Sequence, residues 1–270
     1  MKQVVQTRTS TKGPMELDLY NWMLVFLRVG AFLLVLPFFS VANFPVTMRV
    51  ALSALIALLL APLLPPFPLA KMDFISLLNV MLQELTVGLL LGFIARMVFY
   101  AVDIAGNIIA TQMGLNLATL FDPASAQTEQ APASMLFFLA TVVMLTLDLH
   151  HWMLVGFVRT YSVLPMGGMH LNSALFETVV EQTGRVFVVA LQISAPVIAV
   201  SFVVTLIFAV LSRAVPQMNV FSESFGIRIV GGLIVFGFTM QLTAQHVVNY
   251  LNRLPDDMLA VAQIMGASIK

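Results

Sequence analysis

The sequence predicts an all-α, hydrophobic, membrane-associated protein, and three observations carry that reading. First, 60% of the 270 residues are apolar and only 10% are charged, against roughly 25% charged in an average soluble domain. Too few polar side chains are present to cover a globule in water. Second, the apolar residues fall into about six blocks, at residues 19–42, 46–64, 75–102, 135–164, 186–211 and 229–242. A helix needs roughly 20 residues to cross a bilayer core of about 30 Å. Third, ionisable or polar residues interrupt most of these blocks, leaving clean runs of about 13–19 residues. The chain carries 13 basic and 13 acidic residues and no cysteine. That balance leaves no basic footprint for nucleic acid, and disulfides and thiolate metal sites are excluded.

Taken in order, residues 1–16 form a polar N-terminal extension with Lys2, Arg8 and Lys12. No small-residue cleavage motif follows the first apolar run, so that run is expected to be retained. A helical domain then spans residues 17–254. Arg28 breaks its first block, Gln83, Glu84 and Arg96 the third, and Asp148, His150, His151 and Arg159 the fourth. Charges inside such helices are costly unless they pair or face protein or water. Two readings stay open: a chain that packs its apolar surface against other subunits, or six ordinary spans with their charges facing the bundle interior.

The third block carries Glu84, Gly88, Gly92 and Arg96 at four-residue spacing, on one slowly drifting helix face. Small residues at such positions allow a second helix to approach closely, from a neighbouring subunit or from this chain. Arg96 and Asp103 lie about 10 Å apart along the axis, too far for a direct pair. Residues 103–134 read as the longest loop, free of Lys and Arg and dense in turn formers around Asp122-Pro123. Its first half is apolar at Leu115, Leu117, Leu120 and Phe121, so it is expected to pack into something. Glu181 and Arg185 are spaced for an i,i+4 ion pair.

Asp148, His150 and His151 invite a metal reading, but adjacent helical histidines point about 100° apart and no His-Glu-x-x-His spacing exists. A polar turn at a membrane interface, anchored by Trp152, explains them better. Beyond Asp256-Asp257, apolar residues at 258, 259, 261, 262, 264 and 265 give residues 255–270 the pattern of a short amphipathic helix. No nucleophile motif, phosphate loop or catalytic carboxylate pair is found, so neither an enzyme nor a cofactor is expected.

Several stretches together resemble the FliR family, subunits of the flagellar type III export gate with counterparts in virulence secretion. They include residues 105–115 with Met113-Gly114-Leu115, then Ala118 and Phe121-Asp122-Pro123. The run from Arg213 through Pro216, Asn219 and Phe221, and the corner Leu164-Pro165-Met166-Gly167, follow in the family's order. The resemblance covers roughly residues 17–254 and departs from the family pattern between Ser222 and Arg228, where no Gly-x-Pro precedes the basic residue.

The resemblance implies a non-enzymatic pore subunit in a helical hetero-oligomer with FliP and FliQ, wrapped by FlhB. It passes unfolded flagellar proteins at the bacterial inner membrane, in the flagellar basal body. The 103–134 loop is implied to plug the lumen through Met113, Gly114, Leu115, Leu117, Ala118, Phe121, Asp122 and Pro123. Glu84, Gly88, Gly92, Arg96, Arg213, Pro216, Asn219, Phe221 and Arg228 are assigned to subunit contacts. The rival reading is a secondary transporter using Glu84, Arg96 and Asp103 at a buried site, which predicts inverted repeats; no repeat is evident.

Overall fold

The computed structural model describes residues 19–36, 45–67, 73–115, 130–215, 217 and 220–267. Among them are seven α-helices and a 3-10 turn, Ala61–Leu63, with no strand. The helices are α1 (Leu19–Val35), α2 (Val46–Leu60), α3 (Phe74–Met113), α4 (Ala131–Thr146), α5 (Leu149–Val163), α6 (Ser173–Ala214) and α7 (Val220–Gly266). The all-α, hydrophobic fold class read from composition holds, and four helices plus the bent pair α4–α5 are long and apolar enough to cross a membrane.

The short clean runs do not end helices. Gln83, Glu84 and Arg96 all lie inside α3, which runs for 40 residues, about 60 Å. A backbone hydrogen-bond ladder is indifferent to one charged side chain, provided that side chain finds a partner on the face it occupies. Residues 103–113, read as loop, are the last turns of the same helix. Ala105, Gly106, Ile109, Ala110 and Met113 are buried there, a helical repeat hidden among the polar Asn107, Thr111 and Gln112. The separate C-terminal helix expected from residue 255 is likewise the end of α7, which continues through Pro255 to Gly266. Gly156 of α5 lies against Pro255 and leaves room for its ring.

Helix α3 is the axis of the fold, packed on α1, α4, α6 and α7. Its buried face includes Val87, Leu91, Ile94, Val98 and Ile109, joined to Phe32 of α1 and Phe157 of α5. Those two rings stack at 4.5 Å between centroids. Helices α6 and α7 form a long antiparallel pair beside this core. Asn172 caps the start of α6 by accepting from Leu175 N, and its Nδ2 donates to Ile264 O at the end of α7. The most apolar stretch of α6 is only 33% buried within the chain and that of α7 only 11%. Phe187, Phe202, Val210 and Phe238 stand among the exposed side chains, so these two helices require lipid or other chains around them.

Candidate functional site

Two regions carry the residues singled out by sequence: the seam between α1 and α3, and the C-terminal end of α3. Along the seam, Glu84, Gly88, Gly92 and Arg96 do share one face, as their spacing requires. What faces them is α1 of the same chain. A Cβ on Gly88 would strike the Arg28 carbonyl and Ala31, and one on Gly92 would meet Phe32 O and Val35 Cβ at 2.9 Å. Arg96 Nη1 reaches Val35 O at 3.4 Å and its guanidinium lies over the Tyr100 ring. The close approach at Gly88 and Gly92 is therefore made within the chain, one of the two packings their spacing left open.

At the head of this seam sits a buried charge node that the sequence did not pair. Arg28, 0% exposed, grips Glu84, 1% exposed, through two parallel bonds, Nε to Oε2 at 2.5 Å and Nη2 to Oε1 at 2.9 Å. Arg28 Nη1 also donates to Leu164 O at 3.1 Å, and its guanidinium lies 4.2 Å from the Tyr161 ring centroid. Glu84 Oε1 accepts in addition from Gly167 N at 2.9 Å. That N–H is presented by a turn with Gly167 at φ +71°, a conformation glycine adopts without the strain other residues incur. One ion pair thus ties α1, α3, the end of α5 and the 164–168 corner together. With its oxygens committed, Glu84 is a structural element here, and of the three residues in the transporter reading it is tied into the fold.

The second region is the end of α3. Helix α3 ends in Gly114 at φ +79°, with Gly114 N bonded to Thr111 O and Leu115 N to Ala110 O. This is a Schellman cap, which satisfies the last carbonyls and needs a left-handed residue after the helix. Met113, fully buried, is seated on Gly232 of α7, where an added Cβ would lie 2.6 Å from Met113 Cγ. Ser201 of α6 donates to Gln112 O at 3.2 Å. The last turn of α3 is thereby held by both C-terminal helices. On the returning side, Gly106 of α3 lies so close to Ala133 at the start of α4 that a Cβ would overlap the Ala133 backbone. Leu117, Ala118, Phe121, Asp122 and Pro123 lie outside the described residues.

Gly232→Ala is expected to push Met113 out of its seat, with an overpacking cost of about 1–3 kcal/mol. In a Met113→Ala background the same change should be nearly neutral. A double-mutant cycle read by denaturant unfolding in micelles measures the coupling, and an additive result would contradict the seating.

Of the remaining assigned residues, Arg213 is exposed at the end of α6. Arg228 is half-buried, its Nη2 3.1 Å from Thr205 Oγ1 across the α6–α7 pair. Phe221 lies in the first turn of α7, so the region from Ser222 to Arg228 is helical, while Pro216 and Asn219 fall outside the described residues. The spaced pair Glu181–Arg185 forms, at 2.8 Å between exposed side chains. A polar cleft of about 430 Å³ between α6 and α7, lined by Gln182, Gln192, His246, Tyr250 and Arg253 among others, had no sequence signal beyond its scattered polar residues.

Comparison with known proteins agrees with this architecture. Residues 19–254 match the family described as bacterial export proteins, family 1. The chain is 31% identical over 255 residues to the flagellar biosynthetic protein FliR of Escherichia coli K12, covering 93% of this chain and 97% of the relative. It is 28% identical over 256 residues to FliR of Bacillus subtilis 168, covering 93% and 98%. FliR of Aquifex aeolicus is 28% identical over 236 residues, covering 86% and 90%. A buried node, a tightly capped end of α3 and apolar faces left open thus belong to a flagellar export component, and the chain is a member of bacterial export protein family 1, alongside the FliR proteins.

Proposed function

We propose that this chain is a pore subunit of the flagellar type III export gate in the bacterial inner membrane. In this reading it assembles with FliP and FliQ, meets FlhB at the periphery of the basal body complex, and passes unfolded flagellar proteins. The observation that carries the reading is the loop root. Gln112 is held by Ser201, Met113 by Gly232, and Gly114 and Leu115 by a helix cap, so the segment that follows starts from a fixed base. A plug must move without dragging its support, and apolar side chains closing a constriction exclude water and ions until displaced. The open faces of α6 and α7 supply surface for neighbouring subunits.

Native mass spectrometry of the chain co-expressed with FliP and FliQ tests the assembly. A single copy inside a large hetero-oligomer is the expected result, and a monomer or homodimer that ignores both partners would overturn it. Deleting residues 117–123 in the assembled complex is expected to raise ion leak across the membrane, measured as conductance in planar bilayers. An unchanged conductance would remove the plug role while leaving assembly intact.

A further inference from the structure

The turn between α4 and α5 holds a group of side chains that the export reading does not use. Helix α4 stops at Thr146, α5 begins at Leu149, and the two axes are bent by 74°. At the corner, Asp148 has φ +52°, among the described residues the sole positive value outside glycine. Aspartate tolerates this region better than most residues, yet the conformation still marks a built feature rather than a default one.

Its consequence is visible in the side chains. Asp148 occupies the N-cap of α5, where an aspartate ordinarily accepts a bond from the first-turn N–H groups, but it makes no side-chain cap bond. Its Oδ1 instead stands 3.7 Å from Nδ1 of His151. The His150 and His151 rings, expected to diverge on a regular helix, lie 4.3 Å apart between centroids. His150 Nδ1 is shut away from solvent and has no hydrogen-bond partner. One ligand atom from each of Asp148, His150 and His151 lies within 4.8 Å of the others. Both histidines lie in the first turn of α5, so the divergence expected of neighbouring helical side chains is overcome by ring placement, and the left-handed corner sets the Asp148 carboxylate beside His151.

We propose that Asp148, His150 and His151 form a binding site for a divalent transition-metal ion. Bonds of about 2.0–2.1 Å in a tetrahedral arrangement place ligand atoms roughly 3.4 Å apart. The Asp148–His151 separation of 3.7 Å is already close to that, and both side chains, 73% and 70% exposed, are free to complete the closure by rotation. Two imidazoles and one carboxylate select zinc, nickel, cobalt or copper over magnesium and calcium, which take oxygen ligands. Three protein ligands leave a coordination position for water or for a donor from a neighbouring chain. The ion would clamp the bend, fixing the angle at which α5 leaves α4.

The untagged full-length chain in detergent, stripped with a chelator, is titrated with Zn²⁺ by calorimetry and with Co²⁺ by visible absorption. One equivalent of each is expected, with a cobalt d–d band. His151→Ala and Asp148→Gly should each weaken zinc binding by at least about tenfold, since even outer-shell changes reach that range. Glycine accepts the positive φ without strain, so Asp148→Gly removes the carboxylate while sparing the turn. His246→Ala, a histidine outside the group, should leave binding unchanged. Absence of stoichiometric binding, or affinity untouched by His151→Ala and Asp148→Gly, or lost on His246→Ala, overturns the site.

Discussion

Glu84→Ala is expected to destabilise the chain by about 3–5 kcal/mol, the largest single-residue effect in the molecule. The substitution removes a carboxylate that accepts two bonds from Arg28 and one from Gly167 N. Arg28, with no exposed surface, is left holding a full charge with only Leu164 O and the Tyr161 ring for company. An uncompensated buried guanidinium is far costlier than a missing pair. Four elements lose their common tie at once, so the 164–168 corner should also loosen. Unfolding in graded denaturant, followed by circular dichroism in micelles, reads the loss. A change below about 1 kcal/mol, the scale of a surface ion pair, would show that the node is not buried as described.

The same physics predicts that the double variant Arg28→Met, Glu84→Leu recovers most of that stability. Replacing both partners by apolar groups of similar volume removes the desolvation penalty along with the attraction, and such replacements are often neutral or better. Single and double variants together therefore separate two roles. If the double variant folds and still supports export, the pair serves architecture alone. If it folds and export fails, the charge pair has a task in the working complex.

That pairing also shows where sequence reasoning stopped. The spacing of Glu84, Gly88, Gly92 and Arg96 defined a shared face because helix periodicity is local. Nothing local names the element opposite, and Arg28 lies 56 positions from Glu84. A signal was available: a lone cation in the first apolar block and a lone acid at the head of the third are each costly unless joined. Similarly, the polar Asn107, Thr111 and Gln112 disguised the end of α3 as loop. They are its outer face, while Ala105, Gly106, Ile109, Ala110 and Met113 keep the helical repeat inside. Gly114 carried a usable signal, because a glycine after an apolar helix is the residue a left-handed cap requires, but reading 103–113 as loop hid the helix it ends. The close contacts of Gly106 and Gly232 were not legible, since their partners come from α4 and α7.

Gly106→Val is the second large effect expected, and it bears directly on the loop. Gly106 lies two turns before Met113 on α3, and the residue it touches, Ala133, lies at the start of α4, just beyond the loop's far end. Their contact is backbone against side-chain position, with the added Cβ overlapping Ala133 Cα and N. No rotamer of valine relieves a clash with main chain, so the two helices must separate. Overpacking of this kind typically costs about 1–3 kcal/mol or more where neighbours cannot shift. Ala133→Gly leaves the clash with the Ala133 backbone in place and should not rescue. The predicted phenotype has two parts: lower folded yield, and, in whatever complex assembles, a wider separation of α3 and α4 where Gly106 meets Ala133. Disulfide crosslinking between cysteines placed at Asn107 and Ser134 reads the second part. Unchanged crosslinking in Gly106→Val would mean that the α3–α4 contact does not set the span of the loop. A reduced yield of crosslink together with raised ion leak would support the proposed pore role and tie it to one missing side chain.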